Sequence, residues 1–300
     1  MRNEFISTIH SEMARNKNIV FITGDLGFGV LDKIAADYPS RFINAGICEQ
    51  NMTSLATGMA LRGKIVFTYS IGNFATLRCL EQIRNGAAYH DCNINIVSVG
   101  GGFSYGSLGM SHHATEDIAI MRALPNVSVF TPCDACDAQL AAYEVIRIPA
   151  PCYIRLGKGG EPDLPHDRVR KGDGSCGGVA ILAAGAIAME AFAAADALSE
   201  EGINCTVVPF AKVKPLDEGL VREIAQTHEY VFTLEEHNIV GGFGGAVAEV
   251  IAETGGAKAR LKRLGLCDTY SSIVGDQNYL REYYGLDAAA VVAAVKGAVT

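Results

Sequence analysis

Through the first half of the chain, short and nearly continuous apolar runs alternate with stretches whose apolar positions recur at helical spacing. Asn18 to Thr23, Lys64 to Thr68, Asn93 to Val99, Val127 to Thr131 and Cys152 to Leu156 read as strands buried on both faces. Phe5 to Arg15, Glu49 to Leu61, Phe74 to Tyr89, Glu116 to Leu124 and Ala135 to Ile146 carry the helical period between them. Strand and helix in alternation predict a parallel sheet covered on both faces, a doubly wound α/β domain. The pattern then lapses, because Gly157 to Gly178 mixes glycines, prolines and charges without a period. It resumes with strands Val179 to Ala183, Asn204 to Val208 and Tyr230 to Leu234, and with helices Ile187 to Glu200, Asp217 to Gln226 and Gly244 to Ala252. Gly202 falls where a helix C-cap belongs. The expected division is a first doubly wound domain over residues 1–160, a linker over 161–177 and a smaller second one over 178–300.

Composition agrees with two domains. A chain of 300 residues, 49% hydrophobic and 19% charged, has the material for two cores. A net charge of −8 argues against nucleic acid and against an anionic membrane surface, so small molecules are the expected ligands. The richest apolar run, Val179 to Met189, stops at Glu190, short of the ~20 residues that cross a bilayer. Glu4, His10 and Glu12 interrupt the stretch where a signal peptide would need apolar residues. Nine cysteines, an odd number set in apolar contexts, fit buried reduced thiols and a cytoplasmic location. Cys133 and Cys136 have a redox or zinc spacing, yet no second pair accompanies them.

Candidate chemistry gathers in the first domain. Arg41 to Met52 sets Glu49 among apolar and small residues at the start of a helix, where burial would favour its protonated form and let it share a proton with a basic ring nitrogen. A plainer role is also open to it, since a first-turn acid stabilises the positive end of a helix. Phe74, with Tyr69 and Phe67 in reserve, offers an aromatic face. His112 and His113 stand side by side before a helix, and Asp25 follows the first strand. Gly172-Asp173-Gly174 lies in the linker and reads as a turn, because no asparagine pair follows to complete a magnesium site.

These segments resemble the transketolase superfamily. Arg41 to Met52 is similar to its pyrimidine-binding motif, with Asn44 and Cys48 as departures; Asn73-Phe74-Ala75 with Glu81 to Ala87, and Ser111 to Asn126, match further runs. Glu235-Glu236-His237-Asn238 with Gly241 to Gly245 resembles a structural turn of the C-terminal domain. The resemblance implies that Glu49 hydrogen-bonds the aminopyrimidine of thiamine diphosphate, that Phe74 or Tyr69 stacks on it and that Asp25 borders its cleft. His112, with His113 beside it, would face substrate oxygens. Lys158 and Arg2 match arginines that hold substrate phosphate, whereas Gly29, Gly100 and Leu108 replace a serine, a histidine and an aspartate. No diphosphate-binding domain is present in the sequence. The resemblance therefore implies a partner subunit that carries the Mg2+ ligands, an α2β2 heterotetramer and an active site shared between chains. The implied activity is two-carbon ketol transfer from a ketose to an aldehyde, and the departures at Gly29, Gly100 and Leu108 point to a substrate other than the usual pentose phosphates, a larger glycosyl or nucleotide-linked one or a small 2-oxo acid donor. Acyl transfer from a 2-oxo acid such as pyruvate and a non-catalytic partner subunit are the alternatives.

Overall fold

A computed structural model describes residues 1–165 and 167–299. Its strands are β1 (Ile19–Thr23), β2 (Phe42–Asn44), β3 (Ile65–Ile71), β4 (Ile94–Val99), β5 (Ser128–Phe130), β6 (Cys152–Leu156), β7 (Val179–Ala184), β8 (Thr206–Phe210), β9 (Lys212–Lys214), β10 (Tyr230–Asn238) and β11 (Arg260–Leu266). They form a seven-stranded sheet in the order β2-β1-β3-β4-β6-β5-β9 and a four-stranded sheet in the order β11-β10-β7-β8. Every pairing is parallel except β5 with β9. Strands β1, β4, β6 and β7 are buried along their whole length, as helices on both faces require. Under helix Arg2–Arg15 the core holds Phe5, Phe21, Phe67 and Tyr69, and on the opposite face it holds Met52, Ile83, Ile118 and Met121.

The differences from the expected elements have local causes. β2 is only three residues long and half-exposed, so it gives no apolar run. The expected helix Phe74 to Tyr89 is broken into helix Gly72–Ala75, a 3-10 turn at Leu77–Cys79, helix Leu80–Gln82 and a π-helical segment at Ile83–Ala88. β9 crosses from the second half of the chain to the edge of the first sheet, and its alternating lysines hide it. β10 runs on through Glu235, Glu236 and His237, charged residues that would end a buried strand unless each found a partner. β11 is a charged edge strand, and helices Gln277–Tyr283 and Ala288–Val299 complete the second layer.

Those partners tie the two sheets together. Glu235 accepts from the backbone N–H groups of Phe243 (2.7 Å) and Gly244 (2.8 Å) at the start of helix Phe243–Ala252. Glu236 accepts from the Phe103 amide at 2.5 Å and pairs with Arg281. A side chain at Gly102 (φ +62°) would strike the Glu236 carboxylate, so only glycine fits there. Arg155 on β6 pairs with Asp117 (2.7 Å) and donates to the carbonyls of Ala114 (2.8 Å) and Glu236 (2.9 Å). The loop that carries His112 is thus held by buried charges from both sheets. Removing Arg155 would leave Asp117 uncompensated, a loss of about 3–5 kcal/mol for a pair of this kind.

Burial raises the Glu235 carboxyl from 4.5 to about 7, against the two backbone donors that favour its ionised form. Burial also holds His237 below the ordinary imidazole range, and its Nδ1 donates to the Asn238 carbonyl while Nε2 accepts from the Ala119 amide. A raised carboxyl stabilises the fold fully below about pH 4.5, and that contribution is lost as pH rises through about 7. The unfolding free energy of the parent relative to Glu235→Gln should therefore fall by about 3 kcal/mol across that window. Denaturant titrations at about pH 5 and about pH 8 measure it. A difference that does not change with pH would show that the backbone donors keep Glu235 ionised.

Candidate functional site

Glu49, Phe74 and His112 lie in segments that follow the carboxyl ends of the first sheet's strands, where open α/β sheets place their ligand crevices. Glu49 is the first residue of helix Glu49–Ala60 and is 2% exposed. Its Oε2 accepts from Arg78 Nη1 at 2.8 Å, and its Oε1 takes a long bond from Ser70 Oγ at 3.4 Å. The Arg78 guanidinium also covers the Phe74 ring, with Cζ 4.1 Å from the centroid. On the other side of this chain of contacts, the His112 ring meets Phe74 edge-on at 5.2 Å. Asn73 Nδ2 donates to the His113 carbonyl at 2.5 Å, which fastens the Phe74 segment to the histidine loop. Among the described residues, Asn73 Oδ1 is buried without a hydrogen-bond partner. Acid, aromatic face and imidazole thus converge.

The other candidates are placed differently. Tyr69 is buried beside Phe21 at 6.0 Å, and burial pushes its phenol well above the usual range. It is a core residue and has no free face to stack on a ligand. His113 is buried too, with its ring edge against Phe103 (5.1 Å) and Nε2 3.2 Å from the Gly106 carbonyl. It lends the site its backbone, and its ring faces the interior. Asp25 takes a left-handed turn (φ +59°) and accepts from Asn44 Nδ2 at 2.8 Å. The departure at Asn44 therefore supplies a donor where an aspartate would oppose Asp25. Lys158 and Arg2 lie near Tyr105: Lys158 Nζ is 5.5 Å from its ring centroid, and the Arg2 charge is near enough to oppose the burial that raises its phenol pKa. Gly100 (φ +88°) backs onto the same ring, which a Cβ there would overlap.

Two participants were not among the candidates read from the sequence. Arg78 had a signal, a cation four residues after Phe74, but the expected continuous helix gave it no direction toward Glu49. Tyr105 had none, because only the fold sets it between Gly100, Arg2 and Lys158. Cys133 is buried and its thiol is pushed well up by burial, whereas Cys136 is exposed, a poor arrangement for redox exchange. Asp173 accepts from the Ser175 amide (2.8 Å) and Asn204 Nδ2 (2.7 Å), an Asx turn.

A doubly wound sheet with a buried acid, an aromatic ring and an imidazole at its carboxyl edge defines the chain as an α/β enzyme component. Residues 1–161 match the model of the transketolase pyrimidine binding domain and residues 173–291 that of the transketolase C-terminal domain, so the chain belongs to the transketolase family. It is 36% identical over 301 residues to a putative transketolase C-terminal section of Methanocaldococcus jannaschii, covering 97% of this chain and 93% of that one. It is 35% identical to an apulose-4-phosphate transketolase subunit of Actinobacillus succinogenes (85% and 84% covered). A 6-deoxy-6-sulfo-D-fructose transketolase subunit of Clostridium sp. is 32% identical (98% and 92% covered). Among solved structures, a split gene transketolase in an inactive beta4 tetramer superposes with a TM-score of 0.88 at 35% identity, covering 99% and 97% of the two chains.

Proposed function

We propose that the chain is the pyrimidine-side subunit of a split, thiamine diphosphate-dependent transketolase that moves a two-carbon ketol unit from a ketose to an aldehyde. Residues 1–160 would form the pyrimidine-binding unit and residues 178–300 the C-terminal unit. The observation that carries this reading is the convergence of the buried Glu49 carboxylate and the Phe74 ring on one planar cation, Arg78. A carboxylate in the plane and an aromatic face below are what an aminopyrimidine requires, so the residues present fit that group. The cofactor, when bound, supplies the stabilised carbanion. Glu49 holds a proton at its ring nitrogen, Phe74 fixes the ring plane, and His112 donates toward a developing negative charge on a substrate oxygen.

Magnesium and diphosphate fall to a partner chain, in an α2β2 assembly. Phe28 (81% exposed) and Ile47 (72% exposed) stand within three residues of Asp25 and Glu49, and Leu108 and Met110 precede His112, an apolar rim suited to a protein interface. Among the described residues no helix is long and apolar enough to cross a membrane. The substrate is a sugar outside the ordinary pentose phosphates, as the names of the apulose-4-phosphate and sulfofructose relatives also suggest. Product analysis of the two-subunit enzyme with ketose donors and an aldehyde tests the proposal. Formation of a ketose two carbons longer than the acceptor supports it, and turnover of pyruvate alone overturns it.

A further inference from the structure

Glu49 and Phe74 are joined by a residue to which the proposed chemistry assigns no part. Arg78 Nη1 donates to Glu49 Oε2 at 2.8 Å, and its Cζ lies 4.1 Å from the Phe74 centroid. One planar, delocalised cation makes both contacts, a carboxylate in its plane and an aromatic face against it. An aminopyrimidine would make the same two. The Glu49 side chain is 2% exposed and that of Arg78 is 42% exposed, so the guanidinium stands on the solvent side of the carboxylate.

We propose that Arg78 holds the pyrimidine slot in the ligand-free chain and leaves it when the cofactor's ring enters. This rests on the reading of Glu49 and Phe74 given above. Two planar groups cannot lie on one face of Phe74 at stacking distance, and a cation kept beside Glu49 would oppose the proton that the carboxylate has to hold on the ring nitrogen. Arg78 is placed to move. It sits in the single 3-10 turn Leu77–Cys79, just after Thr76 (φ −121°, ψ −82°), and among the described residues Glu49 is the sole hydrogen-bond acceptor of its side chain. Its displacement is open to a ligand, because the guanidinium is 42% exposed and passes into solvent as the incoming ring takes its place beside Glu49. The slot's occupancy nevertheless lowers the apparent affinity for the cofactor in proportion to the fraction of slots left open.

Calorimetric titration of thiamine diphosphate with magnesium into the two-subunit complex tests the proposal, with unfolding temperature as the control for fold. Arg78→Ala should bind about three- to thirtyfold more tightly than the parent, the range expected for removing an ion pair open to solvent on its arginine side and one cation–π contact. Arg78→Lys, which keeps the charge but loses the planar stack, should fall between them. The gap between parent and Arg78→Ala should narrow as salt screens the ion pair. Equal or weaker binding by Arg78→Ala at an unchanged unfolding temperature would overturn the proposal and make Arg78 a positioning residue for Glu49. Phe74→Ala distinguishes the two possible failures. If it leaves the affinity unchanged, the pyrimidine reading itself fails; if it weakens binding while Arg78→Ala does not tighten it, only the placeholder role fails.

Discussion

Glu49→Gln is expected to lower turnover of the two-subunit enzyme by roughly a hundredfold or more while leaving the fold intact. Glutamine keeps the shape of the side chain, and its carbonyl can still accept from Arg78, as the Oε2 of Glu49 does at 2.8 Å. What it loses is the ability to take and return a proton, the property that matters if Glu49 serves the cofactor's ring nitrogen. A helix-start acid that acts only on the helix dipole is worth about 0.3–1 kcal/mol of stability and nothing in rate. The two roles therefore separate cleanly. Steady-state turnover alongside a thermal unfolding curve makes the comparison, and near-normal turnover with a lowered unfolding temperature would return Glu49 to the structural role.

The second large effect concerns substrate. Xylulose 5-phosphate and ribose 5-phosphate should be turned over with a kcat/KM lower by about two orders of magnitude or more than the enzyme's own sugar, since each lost charged or polar contact costs ~1.5–3 kcal/mol. Gly100 stands where the family resemblance places a phosphate-contacting histidine, and the Tyr105 ring fills the space that any side chain there would need. Gly29 (φ +74°) lies exposed with nothing near its Cβ position, and Leu108 presents an apolar side chain to solvent. Lys158 lies over the Tyr105 ring with Arg2 near by, and a lysine makes a point contact where an arginine would bind bidentately. Assays with the two pentose phosphates decide the matter. Efficient turnover with a Michaelis constant in the ordinary micromolar range would show that the partner subunit supplies the missing phosphate contacts.

The sheet strands were legible because burial on both faces leaves an apolar run that no surface element imitates, as at Ile94–Val99 and Val179–Ala184. Glu49, Phe74 and His112 were legible for a different reason, since each stood in a short run that matched a family motif, and the structure brings Glu49 and Phe74 onto Arg78 and His112 onto Phe74. Tyr69 misled because alternation along β3 does not reveal which face a residue takes, and its ring points under helix Arg2–Arg15 rather than into the cleft. The break between Phe74 and Tyr89 was invisible because none of its residues forbids a helix. Tertiary contacts decide there: Cys79 and Ile83 pack into the core while Arg78 turns out toward Glu49. Arg155, Asp117, Glu236 and Arg281 could not have been paired from sequence, because their partners lie far along the chain.

On the proposed function, this chain holds only the pyrimidine half of a shared site, and everything said of its catalysis depends on that division. Calorimetric titration of thiamine diphosphate with magnesium into the isolated chain, and then into the chain mixed with its diphosphate-binding partner, puts the division to the test. Binding should be weak and independent of magnesium in the first case, because the metal and diphosphate ligands are supplied by the partner, and tight and magnesium-dependent in the second. Tight, magnesium-dependent binding by the isolated chain would contradict it.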